Sequence, residues 1–64
     1  MIGGNVQTER GIICIEAAYQ SEEKAKMDGY RYAFFSKKLN RILYSKSLDD
    51  RGLKHTFAVI EGFN

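Results

Sequence analysis

The chain has a single cysteine, Cys14, a single histidine, His55, and no tryptophan in 64 residues. One thiol excludes an intramolecular disulfide, and one thiol with one imidazole falls short of the four ligands of a structural zinc site. No apolar run approaches the roughly 20 residues that span a bilayer. The opening Met1-Ile2-Gly3-Gly4-Asn5 lacks a basic region followed by an apolar stretch, so the expected compartment is the cytoplasm. Gly3-Gly4 is not followed by the Gly, Lys and Ser or Thr of a phosphate-binding loop. There is no internal repeat, low-complexity tract or interdomain linker.

Length is the other shortage. A domain of this size buries only about 60% of the surface its unfolded chain exposes, and such domains lean on disulfides, metals or a second chain. With the first two missing, a partner subunit is the expected support. What is present suits a folded domain: 44% hydrophobic residues, four Tyr, four Phe and 28% charged residues.

The expected architecture is a small single α+β domain, strand–short helix–three-stranded antiparallel meander (β-α-β-β-β), with the helix packed on one sheet face. Residues 1–10, polar and glycine-containing, read as a flexible lead-in, and residues 11–64 as the domain. Ile12-Ile13-Cys14-Ile15-Glu16-Ala17-Ala18-Tyr19 is rich in β-branched residues and reads as a strand, whose period of two sets Ile13, Ile15, Ala17 and Tyr19 on one face. A helix through Ile15, Ala18 and Tyr19 is the rival reading. Ser21 is a good N-cap, Glu22 and Glu23 suit the positive end of a helix dipole, and Gly29 suits the left-handed residue past its end, which predicts a helix from Glu22 to Asp28.

Tyr30-Arg31-Tyr32-Ala33-Phe34-Phe35-Ser36 and Arg41-Ile42-Leu43-Tyr44-Ser45-Lys46-Ser47 predict a β-hairpin, with Asn40 accepting positive φ in the loop. A helix across residues 36–48 competes, because Phe35, Leu39, Ile42 and Leu43 fall at helical spacing. It would put Lys37 and Lys38 in its first turn and Asp49 and Asp50 at its end, each against the dipole at roughly 0.3–1 kcal/mol. Asp49-Asp50-Arg51-Gly52 reads as a turn and Leu53 to Ile60 as the last strand. The expected core is Ile13, Ile15, Tyr32, Phe34, Ile42, Tyr44, Phe57 and Val59.

No catalytic set emerges. Cys14 lies in an apolar run and reads as a buried, inert thiol, and His55 between Lys54 and Thr56 reads as a solvated sheet residue. Glu22-Glu23 is explained by helix capping and Asp49-Asp50 by turn chemistry. The chain is therefore expected to be non-enzymatic, with no cofactor, metal or small-molecule substrate.

Charge is unevenly spread. In residues 1–30 Glu9, Glu16, Glu22, Glu23 and Asp28 outnumber Arg10, Lys24 and Lys26; in residues 31–60 Arg31, Lys37, Lys38, Arg41, Lys46, Arg51 and Lys54 outnumber Asp49 and Asp50. The expected meander is thus a basic module. Two functions follow. The leading one is an oligomeric protein-interaction or accessory module, a homodimer or a complex with another chain, in which Leu39, Leu48 and Phe63 are candidate contacts. The alternative is nucleic-acid binding by the basic, aromatic-rich sheet of residues 30–55, through Arg31, Phe35, Lys37, Lys38, Arg41 and Lys46. A three-stranded basic sheet resembles, in architecture, the sheet DNA-binding modules of some integrases, but here the helix precedes the sheet and the usual tryptophan is absent, so the likeness transfers no function.

Overall fold

The structure is a computed structural model and describes residues 4–62. Five strands and one helix follow in the order β1 (Asn5–Thr8), β2 (Gly11–Tyr19), α1 (Glu22–Met27), β3 (Arg31–Ser36), β4 (Arg41–Ser47) and β5 (His55–Ile60). They form one mixed sheet with strand order β1-β2-β5-β4-β3. β3, β4 and β5 pair antiparallel in succession, but as one half of a five-stranded mixed sheet that also holds β1 and β2, so the expected four-strand order with its three-stranded meander is corrected. The strand before the helix joins it in parallel, with Ile15 opposite Phe57 and Tyr19 opposite Ile60.

Residues 5–8, expected in the lead-in, are instead an edge strand paired antiparallel to β2 from Asn5–Cys14 to Thr8–Gly11. Gly11 at φ +116 makes the tight return. The Thr8 hydroxyl donates to the Gly11 carbonyl at 2.8 Å and accepts from the Arg10 N–H at 3.1 Å. Residues 1–3 and Phe63 lie outside the described residues.

The helix begins where its cap predicts: Ser21 is extended and its hydroxyl accepts from the Lys24 N–H at 3.4 Å. Asp28 is its C-cap rather than its last residue, and Gly29 turns the chain at φ +93. Only Ala25 of α1 is buried; Met27 is exposed. So short a helix holds through its attachments. Glu22 accepts from the Tyr44 hydroxyl at 2.7 Å, and Asp28 from the Tyr19 hydroxyl at 2.6 Å, so a phenol grips each end.

Two bulges decide which side chains share a face. Between Ile15 and Ala17 the β2 register slips by one at Glu16, and between Tyr32 and Phe34 the β3 register slips at Ala33. Each extra residue inverts the alternation beyond it. Ile13 and Ile15 therefore face away from the helix while Ala17 and Tyr19 face it, correcting the single face read from period two. The expected core divides in the same way. Tyr44, Ala58, Ile60, Ala25 and Tyr30 pack together on the helix side, with Ala17, Tyr19 and Ile42 beside them. On the other face Ile15 and Leu43 are buried among Ile13, Phe34, Phe57 and Val59. Tyr32, expected in the core, is 58% exposed at the sheet margin, where it meets the Tyr44 ring edge-on at 6.0 Å.

Candidate functional site

The face opposite the helix is the one the sheet curls around. In the β1–β2 turn, the Glu9 carboxylate reaches the far side of the sheet and accepts from the Ser36 hydroxyl at 2.8 Å, the Lys37 N–H at 2.7 Å and the Lys38 N–H at 3.3 Å. Ser36 in turn accepts from the Leu39 N–H at 3.2 Å. Its own backbone N–H, then that of Lys37, with help from Ser36 and Lys38, hold the Glu9 carboxyl down at about 2. Beside it the Arg10 guanidinium carbon lies 4.6 Å from the Phe34 ring centroid, a stacked arrangement that orients the guanidinium.

Beside these contacts lies an open cleft of about 380 Å³ lined by Arg10, Ile13, Ala33, Phe34, Ser45, His55 and Phe57. Ser45 and His55 also line a second cleft, of about 410 Å³, completed by Gly29, Arg31, Lys46 and Ser47. The two therefore meet at a shared Ser45–His55 border. His55 Nε2–H donates to the Gly52 carbonyl oxygen at 2.7 Å, which leaves Nδ1 turned away from that bond. The Lys46 ammonium donates to the Asp28 carbonyl at 3.2 Å and sits 4.6 Å from the Tyr30 ring centroid. No aspartate or glutamate is among the described residues lining either cleft.

The six residues singled out for nucleic-acid contact do not share one surface. Arg31 borders the second cleft on the open face. Phe35 pairs with Ile42 and so faces the helix side, 37% exposed. Lys37 and Lys38 are exposed in the turn whose backbone Glu9 holds. Arg41 is half-buried beside Ser36 and donates to the Asn40 carbonyl at 2.8 Å. Lys46 spans from β4 to the end of the helix.

Cys14 is exposed, not buried as its apolar neighbours suggest, because it pairs with Asn5 at the sheet margin and points opposite to Ile13 and Ile15. It and His55 lie on opposite faces, so one chain does not bring thiol and imidazole together. His55 is exposed, yet it belongs to the cleft border. Arg10, Phe34 and Phe57 were missing from the expected site, since Arg10 joins the cleft only through the curl of the sheet. Alternation along β5 was the available signal for His55 and Phe57. Among the described residues there is no group of three His, Cys, Asp or Glu able to hold a metal, and no helix long and apolar enough to cross a membrane. Comparison with protein-family models, with curated proteins and with solved structures gives no match.

Proposed function

We propose that the chain is a non-enzymatic protein-interaction module that pairs with a second copy of itself along β3. One observation carries this reading: β3 is an edge strand, and its bulge brings Tyr32 and Phe35, 58% and 37% exposed, to the same face. An antiparallel pair of β3 strands centred on Ala33–Phe34 sets Tyr32 of each copy opposite Phe35 of the other, and Arg31 opposite Ser36 rather than another cation. Such a register is self-complementary under a two-fold axis, as a symmetric dimer requires. The other edge, β1, is short and presents Asn5 and Gln7, a composition that discourages pairing. Size adds a motive, because a domain this small gains stability by burying aromatic surface against a partner.

Sedimentation equilibrium tests the reading. A monomer–dimer equilibrium is expected, with Tyr32→Arg shifting the mass to monomer while the fold persists. A monomeric mass at every concentration, with a midpoint of unfolding independent of concentration, refutes it.

A further inference from the structure

We infer that the two clefts meeting at Ser45 and His55 bind a single-stranded nucleic acid, through a set of residues distinct from the exposed lysines of the β3–β4 turn. Three observations converge. An arginine stands in each cleft, Arg10 in one and Arg31 in the other, while the Lys46 ammonium turns to the helix end, and no carboxylate is among the described residues lining either. Between them the wall offers the half-buried Phe57, with Ile13 and Ala33 as apolar surround, while the Phe34 ring carries the Arg10 guanidinium. Ser45 and His55, on the border, supply groups able to hydrogen-bond a base edge.

That combination suits a ligand alternating anionic and flat apolar parts. A single strand does so, since its bases stack on aromatic faces while its phosphates meet arginine. Arg10 is prepared for the role: stacked on Phe34, its guanidinium is already oriented before an anion arrives. The clefts, of about 380 and 410 Å³, are open grooves large enough to seat a planar base. A duplex, with its bases stacked inside, has no such planar group to offer. An acidic peptide satisfies the cations but makes no use of the rings.

Fluorescence anisotropy of labelled oligothymidine and oligouridine, each of about ten nucleotides, tests this at low salt and along a salt series. Binding is expected, with affinity falling as salt rises. Arg10→Gln and Arg31→Gln should each weaken it by roughly five- to tenfold and lower the log–log salt slope by about 0.7. The double variant Lys37→Gln/Lys38→Gln should weaken it less than either. Because Arg10→Gln also removes the stack on Phe34, Arg31→Gln serves as the second, surface variant, and thermal melting checks both folds. Repeating the titration with Tyr32→Arg separates the two proposals, as that residue lines neither cleft. Absence of binding at the lowest salt overturns the inference. So does an equal loss in the Lys37/Lys38 variant, or displacement of the oligonucleotide by polyglutamate at matched charge.

Discussion

The two faces of the sheet are closed by different means. On the helix side, Tyr19 and Tyr44 donate to carboxylates at the two ends of α1, and Ala25 seals the contact against Ala58 and Ile60. On the open face, Glu9 gathers the rim by accepting from Ser36 and two backbone N–H groups, while the clefts beside it stay accessible. The first arrangement packs a helix onto the sheet; the second buries Ile15 and Leu43 without one. A domain with one helix of six residues can leave the second face of its sheet uncovered by helix, provided something ties the curl.

The open face has a core of its own beneath the clefts. Leu43 is fully buried there, so Leu43→Ala should cost about 2–5 kcal/mol in urea unfolding. A loss under about 1 kcal/mol would mean that the face collapses around the gap and that only the helix side is packed.

Replacing Tyr44 by Phe sharpens the account of the helix side. The ring stays, the bond to Glu22 goes, and about 1 kcal/mol should be lost. Burial first, then the Glu22 bond, pushes the Tyr44 phenol up to about 12, and the Asp28 bond, then burial, does the same for Tyr19. A raised pKa favours the protonated phenol in the folded state. Its stabilisation is complete below the ordinary value of 10.0 and is lost as pH rises through about 12. Melting temperature followed between these values should fall, and less so in Tyr44→Phe.

The smallest effect belongs to the exposed Glu9. Its carboxyl is lowered from 4.5 to about 2, so its contribution is present above the first value and disappears as pH falls through the second. Thermal melts of Glu9→Gln should show a shallower acid dependence across that window than the unaltered chain. Equal slopes would show that the brace at the rim is not made in solution.

Much of the fold was legible because its signals are local. Ser21, Glu22 and Gly29 mark a helix whatever surrounds them, and Lys37, Lys38, Asp49 and Asp50 oppose a helix across residues 36–48. Asn40, at φ +57, fills the loop position its type allows. What escaped depends on distant partners. Asn5-Val6-Gln7-Thr8 has little strand character of its own and becomes β1 only against β2. The bulges at Glu16 and Ala33 are occupied by residues that ordinary strands accept, so nothing in the alternation announces a change of phase, and the core divided where it had been read as one. The candidate site escaped for the same reason: Arg10 and Phe34, from opposite edges of the sheet, meet only once the curl exists.

The parallel ladder of β2 with β5 has a consequence for assembly. Hairpins β1–β2 and β3–β4 join neighbours in sequence, as does β4–β5, and can form early from nearby residues. Only the pairing that begins at Ile15 and Phe57 spans most of the chain, and it alone carries a large loop-closure cost. During synthesis β5 is the last of these strands to appear, yet it sits between β2 and β4. Until the β3–β4–β5 ribbon docks on β2, the apolar flanks of both ribbons stay open to solvent, so this one seam completes the sheet.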